Sequence, residues 1–196
     1  MNILKLSGIG YAALFAGTVI IAFTSCVSQP DDSTEVAEEQ NEVRFDDKDA
    51  EDDASYLADA ATMLQENARW GELASVNATS KEVKALGSKM ATAHAADLAA
   101  LQSLATEKSI SLPAAPSENT MDAHDELNEL TGPEFDKQYC DKVVSSHKDA
   151  IAQLEFIEKN AQDTQILAWA TKMLPKFRLH LSTAEALQNS LKGKQE

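Results

Sequence analysis

The segment "KMATAHAADLAALQSL", residues 89–104, decides the fold class. Met90, His94, Leu98 and Leu101 recur at three- and four-residue steps, the period of an α-helix with one buried face. A histidine stands on that apolar stripe, and two later segments repeat the arrangement. "YCDKVVSSHKDAIAQLEFI" sets His147 in line with Tyr139, Val143, Ile151 and Leu154. "KMLPKFRLHLSTAEAL" sets His180 among Met173, Phe177, Leu181 and Ala184. An imidazole in such company is either a neutral core residue, hydrogen-bonded across a helix interface, or a ligand.

Working outward, the same periodicity predicts four long helices and no strands. The first runs from about Asp53 to Ala78, with Leu57, Ala60, Ala61, Leu64, Ala68 and Gly71 inward. Thr79 and Glu82 have the spacing of a capping box and open the second, which carries Val83, Leu86, Gly87, Met90 and His94. "SISLPAAPSE", 109–118, breaks the chain, and "TMDAHDELNEL", 120–130, adds a short amphipathic helix. Pro133 suits the first turn of the third helix, and Asp163 suits the cap of the fourth. Residues 53–193 therefore predict an all-α four-helix bundle whose long crossover contains a short extra helix. Pro175 cannot donate to the carbonyl of Thr171, which predicts a kink just over a turn before His180.

The N-terminus reads as a targeting segment to be set aside before fold reasoning. An apolar run from Ile9 to Phe23 closes on Thr24-Ser25-Cys26, which resembles the lipobox of bacterial lipoproteins. That resemblance implies a signal peptide over 1–25 and acylation of Cys26, with palmitate-type chains anchoring the protein to a membrane. No aspartate follows Cys26, which implies the outer membrane, on its periplasmic face or at the cell surface. A plain membrane anchor is the alternative. If Cys26 is acylated, Cys140 has no partner and reads as a buried small hydrophobe. On a helix it lies about 10 Å from His147, too far for a nucleophile–base pair.

Residues 31–53 hold twelve acids against Arg44 and Lys48, −10 of the chain's −15. That composition predicts a solvated, disordered tether over 26–52. Residues 54–196 are net −6 without a basic patch, which argues against nucleic acid as a partner.

Three blocks carry a family resemblance: "SKEVKALGSKMATAH…LATEKSISLP", "LTGPEFDKQYCDKVVSSH" and "LPKFRLHL". Together they resemble the bacterial family catalogued as domain of unknown function 4142, over about 55–190. The resemblance implies a ferritin-like bundle, exported or lipid-anchored, with no established activity. The family's recurrent histidines fall on His94, His147 and His180, and Gly132, Phe135, Asp136, Tyr139 and Pro175 match its pattern. Ala93 stands where an acidic residue is usual, and Asn67 where a carboxylate is common.

A ferritin-like di-iron site needs Glu-x-x-His on two helices. Ala91, Val144 and Phe177 stand three residues before the bundle histidines, and Met121 before His124, so no such motif exists. A softer site remains, because Met90 and His94 share a helix face and thioether plus imidazole suits copper. Otherwise each histidine is a core residue, with Asp136, Asn67 or Asp97 as acceptors. There is no phosphate loop, His-Glu-x-x-His, haem motif or nucleophile elbow. Trp70 and Trp169 read as core, and His124 as a solvated face. The leading reading is a binding or structural envelope module that needs no cofactor, its protein or small-ligand partner undefined. The alternatives are a transition-metal binder built on His94, His147, His180 and Met90, and, more distantly, an enzyme. Replacing Cys26 by Ser is expected to abolish acylation and to release the protein from membranes or trap its precursor. Fractionation with N-terminal mapping checks this, and normal membrane retention with a cleaved terminus would contradict it.

Overall fold

A computed structural model describes residues 33–193; the leader and Cys26 lie outside the described residues. Six helices follow one another: α1 (Ser33–Arg44), α2 (Lys48–Asn77), α3 (Lys81–Lys108), α4 (Glu118–Asn128), α5 (Gly132–Asn160) and α6 (Thr164–Lys192). No strand occurs among the described residues. The expected all-α bundle is formed by α2, α3, α5 and α6, with α4 inside the crossover.

The four helices are two hairpins, α2–α3 and α5–α6, each packed most closely within itself. In the first, Gly71 and Gly87 let two backbones meet. A Cβ on Gly71 would lie 2.5 Å from the backbone nitrogen of Ala91, and one on Gly87 would lie 2.8 Å from the carbonyl of Gly71. Substitution there must push the helices apart, because backbone atoms cannot swing aside as a side chain can.

The hairpins are tied by two buried aspartates. Asp53, near the start of α2, accepts the backbone N–H groups of Gln162 and Asp163 at the α5–α6 turn, at 3.1 and 2.7 Å. Asp136, near the start of α5, accepts those of Thr79 and Ser80 at the α2–α3 turn, at 2.9 and 2.7 Å. Each hairpin's turn is thus held by the first helix of the other. This places the start of α5 beside the end of α2, so α2 and α5 run antiparallel. The resulting up–down–down–up order with one long crossover is ferritin-like connectivity.

Local signals account for the boundaries. Asp163 caps α6 as expected, accepting from Gln165 and Ile166. Pro133 lies in the first turn of α5. The cap of α3 is Ser80 rather than Thr79, because Asp136 already takes the turn's N–H groups and leaves the Ser80 hydroxyl to accept from Val83. Helix α6 continues through Pro175 without interruption.

The acidic stretch differs most from its expectation. Residues 33–44 form helix α1, and α2 begins at Lys48 instead of near Asp53. The physical reason is a tertiary clamp that composition does not reveal. Asn41 is buried, donates from Nδ2 to the Ser111 carbonyl at 2.9 Å and accepts the Ser111 N–H at 2.8 Å. Arg44 donates to the carbonyl of Ser109, and Ala37 is buried beneath the helix. Within α2, Lys48 pairs with Glu51 and Asp52 in a first turn whose acidic residues suit the positive helix end.

The core is not continuous. One apolar cluster contains Leu57, Leu64, Leu101, Leu154, Ile157, Ile166, Met173 and Phe177. The other contains Trp70, Val83, Met90, Phe135, Tyr139, Val143 and Ala184. On every bundle helix a polar residue separates the two: Asn67 on α2, His94 and Asp97 on α3, Ser146 and His147 on α5, His180 on α6. The bundle has a polar waist.

Candidate metal centre

The three histidines occupy that waist because each stands close to the midpoint of its helix. In a bundle of near-equal antiparallel helices, midpoints fall at one level. The rings of His94 and His147 are 5.2 Å apart between centroids, those of His94 and His180 5.1 Å, and those of His147 and His180 5.6 Å. One ring nitrogen from each lies within 4.8 Å of the other two. This is the one group of three or more histidine, cysteine or carboxylate side chains close enough to share an ion among the described residues.

The centre is dry and apolar around its ligands. His94 and His147 are fully buried and His180 is 5% exposed. Phe177 packs on two of the imidazoles, 5.2 Å from His94 and 5.2 Å from His147. It stands at the position three before His180 that a di-iron bundle fills with glutamate. The predicted absence of Glu-x-x-His thus takes a physical form: an aromatic ring lies where a carboxylate would.

Hydrogen bonding separates the two readings of the histidines. His147 donates from Nδ1 to the carbonyl of Val143 at 2.9 Å, which leaves its lone pair on Nε2. That Nε2, both nitrogens of His94 and Nδ1 of His180 are buried and find no hydrogen-bond partner among the described residues. The acceptors expected for them are engaged elsewhere. Asp136 holds the α2–α3 turn, Asn67 donates to the Met63 carbonyl and accepts from Ser146, and Asp97 takes the ammonium of Lys176. Among the described residues, none of the three histidines hydrogen-bonds to another helix. Buried polar groups are nearly always satisfied, so four unpaired nitrogens converging at one level call for an explanation.

Electrostatics keep the rings neutral. Burial, then the neighbouring His147 and His180 and the charge of Lys176, push His94 down to about 2. Burial and His180 push His147 down to about 4, against the bond to Val143. His180 is lowered by burial and by Lys89 and Lys176, with Asp97 opposing. His94 and His147 thus keep a lone pair free for a Lewis acid below neutral pH, and His180 is shifted in the same direction.

The remaining expected features fall as follows. Met90 is buried one turn before His94 on the same helix. Cys140 is buried, and burial with the charges of Asp136 and Asp141 pushes its thiol up to about 12, which suits the inert role read from sequence. Trp70 and Trp169 are buried in the two apolar clusters. His124 lies half-buried on α4 beside Asp125, apart from the cluster. Asp97, read from sequence as an acceptor for a histidine, lies one turn after His94 and instead accepts from Lys176 on α6.

With this geometry in hand, comparison with known proteins places the fold in context. The family described as Domain of unknown function (DUF4142) matches residues 38–187, from within α1 almost to the end of α6. No curated protein and no solved structure matches the chain.

The unpaired nitrogens make a stability prediction for the ion-free chain. Histidines whose folded pKa lies below the unfolded value of about 6.5 bind fewer protons when folded, so stability rises with pH. Their contribution is complete above pH 6.5 and is lost as pH falls towards 4, by up to about 1.4 kcal/mol per unit per histidine. His94→Leu is expected to raise the stability of the ion-free chain at pH 7 by about 1–3 kcal/mol, since it removes an unsatisfied buried group. It should also flatten the pH dependence between 6.5 and 5. Urea unfolding at several pH values checks both, and a loss of stability on this substitution would show that His94 has a partner.

Proposed function

The chain belongs to the family of Domain of unknown function (DUF4142), and we propose that this member is a transition-metal-binding bundle using His94, His147 and His180. The observation that carries the proposal is the convergence of three buried, neutral imidazoles, within 4.8 Å of one another, with nitrogens that no protein group satisfies. Imidazole–metal distances of about 2.0–2.1 Å set the nitrogens of a trigonal site about 3.5 Å apart. Binding would draw the nitrogens from the present spread, within 4.8 Å, to that value.

The chemistry of the donor set favours copper in its monovalent state. Three neutral nitrogens bring no negative charge, and the site is nearly closed to water. Burying a divalent ion there costs about four times as much as a monovalent one, because Born energy scales with the square of the charge. A fourth, anionic ligand would ease a divalent ion, but no carboxylate joins the three nitrogens among the described residues. Met90, buried one turn before His94 on the same helix, is a thioether, a soft donor of the kind copper takes. The residues hold and desolvate the ion, and Phe177 screens it from water. With the three imidazoles engaged as ligands none is left to act as a general base, which favours binding over catalysis. Attachment to a membrane through Cys26 is part of the same proposal; its support is the leader sequence.

Metal-dependent stability tests the reading. One equivalent of Cu+ under anaerobic conditions, at a free level about 100 times its Kd, should add about 2.7 kcal/mol of stability. For a domain of this size that is a rise in Tm of about 5–10 °C by calorimetry. The rise should vanish in His94→Leu, His147→Leu and His180→Leu alike. A Tm that does not respond to saturating Cu+, or a response that survives all three substitutions, would refute the metal site.

A further inference from the structure

Resting on that reading, we infer that the ion pair between Asp97 and Lys176 sets the affinity of the centre for cations. Asp97 acts as the counter-charge and Lys176 as the opposing charge. Asp97 lies one turn after His94 on α3, and Lys176 one turn before His180 on α6. The Lys176 ammonium donates to Oδ1 of Asp97, so the pair bridges the α3–α6 interface at the level of the histidines. The second carboxylate oxygen, Oδ2, is buried and has no hydrogen-bond partner among the described residues.

The buried carboxylates of the bundle show why this one matters. Asp53 and Asp136 are spent at opposite ends on backbone N–H groups, whereas Asp97 stands in the waist with half of its bonding capacity unused. The other polar groups of the waist, Asn67, Ser146 and the three imidazoles, are neutral. A cation held by the histidines therefore has Asp97 as the one buried negative charge at its level among the described residues. Lys176 works against it, because its ammonium neutralises Asp97 and repels a second positive charge. The Lys176 side chain is 41% exposed, whereas that of Asp97 is 6% exposed. The lysine is thus replaceable by a side chain that still donates to Asp97, and its charge reaches the centre partly screened.

This assignment makes a prediction that a purely structural salt bridge does not. Removing either partner of a structural pair destabilises the fold in the same direction. Removing either charge here moves cation affinity in opposite directions. A unit charge one helical turn from a ligand, at the intermediate effective dielectric of a partly exposed pair, shifts monovalent affinity by on the order of tenfold. The experiment is a competition titration of the full chain with Ag+, a redox-inert monovalent probe. Asp97→Asn should weaken binding about tenfold, Lys176→Gln should strengthen it about tenfold, and Lys176→Arg should leave it near wild type. If Asp97→Asn fails to fold, the sign of the Lys176→Gln shift decides alone. Binding by the wild-type chain with Lys176→Gln weaker than or equal to it would overturn this inference and leave the metal centre standing. No Ag+ binding by the wild-type chain would overturn both.

Discussion

Three uncharged imidazoles are buried at one level of this bundle, and the rest of the structure is arranged around that fact. An unsatisfied buried polar group costs about 1–3 kcal/mol, and four ring nitrogens are in that position. The total is comparable with the net stability of an ordinary domain, about 5–15 kcal/mol. Such a layer is tolerable only if the structure on either side over-determines it. The two apolar clusters do this, one filling each half of the bundle with leucine, isoleucine and aromatic side chains. The reciprocal aspartates close the ends, each satisfying two N–H groups of the opposite hairpin. The close approach at Gly71 and Gly87 fixes the register of α2 against α3, and so the height at which His94 meets its partners.

The same arrangement explains why the centre differs chemically from a di-iron bundle of the same connectivity. Carboxylate-rich sites suit hard, highly charged ions, and their glutamates compensate the charge. Here Phe177 and Val144 replace such residues on α6 and α5, and the ligand set is neutral. Lowered histidine pKa values are the counterpart of that choice, since burial which penalises an imidazolium also keeps its lone pair available. Charge control passes to Asp97 and Lys176, beside the ligands and not among them.

Much of this was legible in the sequence, and what was not has specific causes. Helical period, Pro113 and Pro116, Pro133 and Asp163 were enough to give the bundle helices, the crossover and one cap. The three histidines were visible as intruders on apolar stripes, and their positions near the helix midpoints carried the signal that they meet. The expectation that Asp136, Asn67 and Asp97 would satisfy them failed because those groups answer to other demands: a turn, a serine and a lysine. The acidic stretch was misread because net charge says nothing of a single asparagine that clamps a distant backbone. Helix α1 depends on Asn41 meeting Ser111, a contact between residues far apart in sequence.

The central claim is that the lone pairs of His94, His147 and His180 converge on one ion. The most direct measurement is an anomalous-difference map from crystals of the chain loaded with one equivalent of Cu+, collected at the copper edge. The account predicts a single strong peak in the polar waist, about 2.0–2.1 Å from one nitrogen of each histidine. Copper found only at surface carboxylates or at the chain ends, with the three imidazoles unligated, would contradict it.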